Sequence, residues 1–160
     1  MLGRIGISAI SLVAASAMAA TSAFAEDRSA GYVSFDTKAD FGDVVADLQD
    51  SIVNKGLVID YVGHVSDMLT RTSEAAGTSN PYANAIYLQF CSSARTHAAV
   101  AVDPRNIAMC PYVVFAYEEA VKPGVVNVGF RRPITTSENP SAELAEVEAL
   151  LEEIVTDSLQ

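Results

Sequence analysis

The sequence predicts an α+β fold, a two-layer sandwich in which helices cover one face of a mainly antiparallel five-stranded sheet. Three observations carry that prediction. Segments such as Ala85 to Cys91 alternate apolar and polar residues with period two, as half-buried strands do. Two longer segments, one from Phe41 and one after Asn139-Pro140, repeat their apolar residues at helical spacing. The elements run strand, helix, strand, strand, strand, strand, helix, with short helical insertions around the third strand. That order stacks helices on one side of a sheet and leaves the other side free.

Taken in turn, Tyr32 to Phe35 reads as the first strand. Thr37 or Asp40 then caps a helix whose apolar positions Phe41, Val44, Val45, Leu48 and Ile52 share a face, and Gly56 ends it. Leu57 to His64 is the second strand, and Ser66 to Ala76 a shorter helix closed by Gly77. Thr78 to Asn84, containing Asn80-Pro81, reads as a loop. The third strand is Ala85 to Cys91, and Ala94 to Val102 is helix-compatible. Asp103-Pro104 supplies a cap and a first helical position for a fresh turn. Tyr112 to Glu118 and Val125 to Arg131 are strands joined through Val121-Lys122-Pro123-Gly124, a hairpin connection. The final helix carries Leu144, Val147, Leu151, Ile154 and Val155 on one stripe and glutamates elsewhere.

Alternation sorts the strand residues onto two faces. The core side takes Val33, Phe35, Leu57, Ile59, Ile86, Leu88, Phe90, Val126, Val128 and Phe130. The opposite, more polar side takes Tyr32, Ser34, Asp60, His64, Tyr87, Gln89, Cys91, Asn127 and Arg131. An imidazole and a thiol are thereby assigned to one polar face.

The first 25 residues read as an export signal: Arg4 gives a positive start, Ile5 to Ala20 an apolar run of mostly small residues, and Ala23-Phe24-Ala25 a cleavage site. A mature chain from Glu26 is expected, with a short linker over 26–30 and a single domain over 31–160, in a periplasmic or secreted location. No later stretch approaches the ~20 apolar residues that a span needs, so stable membrane insertion is not expected. Acids outnumber bases 20 to 10, for a net charge of −10, and only Arg131 and Arg132 are adjacent cations. Nucleic acid is therefore excluded as an expected partner, because phosphate binding relies on clustered Lys and Arg.

Export also sets how the two cysteines are read. Cys91 and Cys110 make either a structural disulfide or, with His64, Met68, His97 and Met109, a ligand set. Soft sulfur and imidazole donors suit copper or non-covalent haem iron. Covalent c-type haem would need C-x-x-C-H, which is missing, and a redox-active thiol pair without C-x-x-C is the weakest of the three readings. There is no nucleophile elbow or phosphate loop, and Ser92 and Ser93 near His97 make only a weak nucleophile case, so the sequence leans away from an enzyme. Tyr32, Tyr87 and Tyr112 are candidates to line a ligand pocket or a dimer interface, and Arg131-Arg132 either clamp an anion or pair with the abundant acids.

The helix end at Gly56-Leu57, Phe90-Cys91 at a strand end, Asp103-Pro104, Cys110-Pro111-Tyr112 entering Val113 to Tyr117, and Phe130-Arg131-Arg132-Pro133 together carry a family resemblance. The chain resembles the family called domain of unknown function 302 over roughly Gly31 to Val155. The resemblance implies a TATA-binding-protein-like layout and a homodimer, and no established reaction. The commoner family pattern has Asn-Pro after the first cysteine and a proline before the second, where this chain has Cys91-Ser92-Ser93 and Cys110-Pro111. Two functional expectations follow. One is an exported small-ligand or metal/haem-binding protein using the polar sheet face near His64, Cys91 and Cys110. The other is a non-catalytic, disulfide-stapled homodimer whose sheet face is an interface.

Overall fold

Short polar side chains set the starts of the helices. In the computed structural model, which describes residues 26–28, 31–133 and 141–159, Asp40 accepts a hydrogen bond from the Gly42 amide and caps α1 (Phe41–Asn54). Of the two candidate caps, Asp40 is therefore the one used. Ser92 caps α3 (Ser93–Val102) by accepting from the Arg95 amide, and Ser141 caps α4 (Ala142–Asp157) by accepting from the Leu144 amide. Asp103 caps a single 3-10 turn over Pro104–Met109. Between these lies α2 (Val65–Ala76), preceded by His64, whose side chain makes no capping bond. The expected export signal and the Asn139-Pro140 helix opening fall outside the described residues.

The sheet has six strands where five were expected. They are β1 (Glu26–Arg28), β2 (Tyr32–Thr37), β3 (Val58–His64), β4 (Tyr82–Cys91), β5 (Tyr112–Glu119) and β6 (Val126–Arg131). Their spatial order is β1-β2-β6-β5-β4-β3, with every pairing antiparallel. The extra strand is β1, at residues read above as linker. Three polar residues carry no alternation, and they become a strand because β2 offers them a partner edge, Glu26 lying opposite Phe35. At the other correction, β4 starts at Tyr82 instead of Ala85: an irregularity between Tyr82 and Asn84 lets the strand absorb part of the expected loop.

Helices α1 and α4 pack on each other and on one sheet face, and α3 packs on α4. Between the layers lies the core, built from the sheet positions that alternation assigned to it together with Val44, Leu48, Ile52, Val147, Leu151, Ile154 and Val155 from the helices. Each large apolar side chain buried this way contributes about 1.5–3 kcal/mol relative to exposure. The stripe expected on the last helix is buried in full. On β5 the core positions are Tyr112, Val114 and Ala116. Tyr112 therefore belongs to the helix side and not to the free face: its ring meets Phe90 edge-on at 6.1 Å, and its hydroxyl lies 3.3 Å from Thr96 Oγ1.

Candidate functional site

The pairing register of β3 decides which of the predicted site residues can meet. Ile59 lies opposite Phe90, but Tyr61 lies opposite Gln89, so Asp60 is a bulge and every residue after it changes face. Tyr61 and Gly63 take the places on the free face that simple alternation gave to Asp60 and the residues in step with it. His64 lies opposite Ile86, a core-side position, and is exposed at the strand's end. Cys91 lies opposite Val58 at the other end of the same strand pair. Cys91 is five residue steps along the strand from Ile86, roughly 17 Å of chain. The structure thus does not bring His64 and Cys91 together.

Cys91 and Cys110 are joined in a disulfide, with alpha carbons 5.9 Å apart and a separation of 19 residues in sequence. The bond closes the segment containing α3 and the 3-10 turn, and it occupies both sulfurs, which as a disulfide are no longer the thiolates that bind metals. Met109 is packed against the hydrophobic core, while Met68 is 43% exposed on α2, far along the chain from either cysteine in the sheet. The copper or haem expectation therefore loses its two thiolate donors. Among the described residues no group of three or more His, Cys, Asp or Glu side chains converges as a metal site. Of the six candidates, Cys91, Cys110 and His97 do share a place: they line a depression of about 690 Å³ with Asp60, Val58 and Ile107. Ser92 does not add a nucleophile to it, being buried and committed to capping α3.

A different constellation occupies the free sheet face. Register places its side chains in cross-strand rows. One row runs Tyr61, Gln89, Val113 and then Arg131 opposite Tyr32; the next runs Gly63, Tyr87, Phe115, Gly129 and Ser34; the third contains Ala85, Tyr117 and Asn127. Within the middle row two glycines sit beside two rings. A β-carbon on Gly63 would stand 2.1 Å from the Tyr87 ring, and one on Gly129 would stand 2.7 Å from the Phe115 ring and 2.2 Å from the Val33 carbonyl oxygen. The missing side chains let Tyr87 and Phe115 lie down along the sheet instead of standing up from it.

Other rings join them. Phe115 and Tyr117 stack at 6.2 Å with planes 26° apart, Tyr82 meets Tyr117 edge-on at 5.4 Å, Tyr32 meets Phe115 edge-on at 6.4 Å, and Tyr61 leans on Tyr87 at 5.9 Å. All of these rings except Tyr61 floor and wall a trough of about 650 Å³, bordered also by Val65 of α2, Gln89 and Arg131. Burial pushes the Tyr117 phenol above its usual range, and the charge of Glu119 adds to that. The Tyr32 hydroxyl donates to Asp27 Oδ2 at 2.8 Å, which holds it in the protonated form.

Of these residues, sequence reasoning named Tyr32, Tyr87, Gln89 and Arg131 as lining the polar face and missed Tyr61, Tyr82, Phe115 and Tyr117. The signal for the last pair was present as aromatics two apart, Phe115-Ala116-Tyr117, in a predicted strand. The paired arginines also part company. Arg132 makes a two-bond ion pair with Glu148, at 2.9 Å and 3.2 Å, whereas Arg131 donates to the Pro111 carbonyl at 3.2 Å and meets no carboxylate among the described residues.

Fold and face define a two-layer α+β protein in which one side of an antiparallel sheet is roofed by helices and the other is paved with aromatic rings. The chain belongs to the family described as Domain of unknown function DUF302, whose sequence model matches residues 33–158. Among solved structures it is similar to the uncharacterized conserved protein DUF302 from Bacillus stearothermophilus, with a TM-score of 0.65 at 14% identity over 81% of this chain and 98% of that one. That likeness is one of fold. No curated protein matches the chain. Among the described residues no helix is long and apolar enough to cross a membrane.

Proposed function

We propose that this is an exported, non-catalytic binding protein whose recognition surface is the aromatic trough on the free sheet face. The observation that carries the reading is the laid-down pair of rings, Tyr87 and Phe115, seated over Gly63 and Gly129 and extended by Tyr117 and Tyr82. Flat rings offer a planar apolar ligand contact without the entropy cost of ordering long aliphatic side chains. A volume of about 650 Å³ lies within the range of small-molecule sites. The lining is mainly apolar with a few polar groups at the ends, which is the composition such sites share.

The reading is tested with a neutral planar probe, 2-naphthalenemethanol, titrated into the protein and followed by intrinsic tyrosine fluorescence, which no tryptophan obscures because the chain has none. Saturable binding with one site per chain is expected, weakened about threefold to tenfold by Tyr117→Ala, the size of one lost aromatic contact. Binding that does not saturate, or that Tyr117→Ala leaves unchanged, overturns the assignment.

A second reading is that a further copy of the chain covers this face, giving the disulfide-stapled homodimer. It is favoured by the exposure of Tyr61 at 54% and Tyr32 at 40% along the trough's rims, and by α2, an amphipathic helix with no buried residue. Sedimentation velocity separates the two. A dimer that Tyr61→Arg dissociates supports the interface; a monomer that binds the probe supports the trough.

A further inference from the structure

We infer that the trough selects a planar aromatic ring carrying a single carboxylate, with Arg131 as the residue that receives the acid group. The inference rests on the trough reading above and adds the charge and shape of what fills it. Its basis is the pairing pattern of the cations. Lys55, Arg95, Arg105, Lys122 and Arg132 each meet at least one carboxylate. Lys38 and Arg71 meet none among the described residues, but neither lines the trough. Arg131 has none among the described residues, and it is the one charged side chain in the lining of the trough.

The guanidinium is also held in place. One Nη2 hydrogen is donated to the Pro111 carbonyl at 3.2 Å, which fixes the head group while Nε and Nη1 keep donors for a further acceptor. A carboxylate is the group that a guanidinium fork meets with two parallel hydrogen bonds. The amide of Gln89 lines the same end of the trough and supplies another polar group there. A phosphate or a dicarboxylate fits less well. Each brings a second negative charge to a surface with one local cation, on a chain whose net charge is −10.

Spacing supports the same assignment. Rows on one sheet face repeat every two residues, so the Arg131 row stands roughly 7 Å from the Phe115 row and roughly 13 Å from the Tyr117 row. An aryl ring lying over Phe115 can therefore direct its carboxylate toward the Arg131 end of the trough, where the guanidinium leans to Pro111. A ligand of that kind satisfies the aromatic floor and the cation at once, whereas a neutral ring leaves Arg131 to water.

A matched pair of probes tests this: 2-naphthoate and the neutral 2-naphthalenemethanol, each titrated by calorimetry and by NMR shift mapping into the mature protein and into Arg131→Gln. The acid is expected to bind about tenfold tighter than the alcohol, one charge-assisted contact's worth. Arg131→Gln is expected to abolish the acid's preference over the alcohol, with Arg131→Lys restoring only part of it. Melting curves of the variants confirm that folding is intact, as exposure of Arg131 leads one to expect. Equal binding of acid and alcohol, or an acid preference that survives Arg131→Gln, overturns the inference and leaves the trough standing. Failure of both probes to bind removes the trough reading, and the inference falls with it.

Discussion

Gly129 and Gly63 look alike in sequence, each a glycine inside a strand, and each has an aromatic ring across the sheet, yet adding one methyl group to them should have very different costs. At Gly129 the new β-carbon would stand 2.2 Å from the Val33 carbonyl oxygen and 2.9 Å from the Ser34 alpha carbon, both backbone of the paired strand β2. Neither can move without breaking the ladder between β2 and β6. Overpacking of that kind costs about 1–3 kcal/mol and more when backbone must shift, so Gly129→Ala should lose about 3 kcal/mol. At Gly63 the close atoms all belong to the Tyr87 ring, at 2.1 to 2.7 Å, and a half-exposed ring can swing away. The cost of that swing, about 1 kcal/mol for an unfavourable rotamer, is partly offset by the 0.4–1 kcal/mol or so that alanine gains over glycine by restricting the unfolded chain. Gly63→Ala should therefore be nearly neutral for stability while it evicts Tyr87 from the trough floor. Thermal melting by circular dichroism, with near-ultraviolet tyrosine signals as the reporter of ring packing, measures both. A Gly129→Ala protein that melts within 2 °C or so of the parent, or a Gly63→Ala protein that melts far lower with its tyrosine spectrum unchanged, would refute the account of seated rings.

Two further outcomes are expected. Cys91→Ser with Cys110→Ser removes a cross-link spanning 19 residues, worth roughly 3 kcal/mol in the chain-entropy model; the melting temperature should fall by about 10 °C, as it should on treating the parent with a reductant, and an unchanged midpoint in both would count against the bridge's role. Glu118 accepts from the Gly124 amide at 2.8 Å and from Asn84 at 2.8 Å, and these bonds, the first foremost, hold its carboxyl below the usual range. A depressed folded value means its stabilisation is present above the unfolded value and is lost as pH falls through the folded one, so acid titration of the melting temperature should show a drop that Glu118→Gln flattens; parallel curves for the two proteins would refute it.

Much of the fold was legible because the elements that matter to it obey one rule each. The last helix could be read from a single stripe, and Leu144, Val147, Leu151, Ile154 and Val155 are all buried. The core faces of β2 and β6, and of β4 from Ala85 on, follow alternation, so Val33, Leu88, Phe90, Val128 and Phe130 fall where period two puts them. The cysteines were half legible: the sequence left Cys91 and Cys110 as either a disulfide or part of a ligand set, and the structure joins them. The site was harder to read for a physical reason: it is made by register. A bulge adds one residue to one strand and leaves no mark on the local pattern, so the step at Asp60 moved His64 to the core-side phase and brought Tyr61 beside Tyr87. Gly63 and Gly129 read as weak points in strands, and their use as seats depends on which rings lie beside them across the sheet. Arg131 and Arg132 are neighbours with opposite fates, because alternation sends one to the trough and turns the other to Glu148 on α4.

The step at Asp60 has a second effect at the rim of the molecule. β3 is the last strand of the sheet, and its outer side presents backbone donors and acceptors that no neighbour satisfies within the sheet. A regular edge of that kind is a template onto which another chain's strand can zip, the route to fibrils and to disordered association. One extra residue near the start of the strand breaks the even spacing of those groups, and the exposed carboxylate of Asp60 stands at the same point. An incoming strand would have to leave backbone groups unpaired and approach a negative charge. The irregularity that scrambles the face of β3 also keeps its edge from recruiting company.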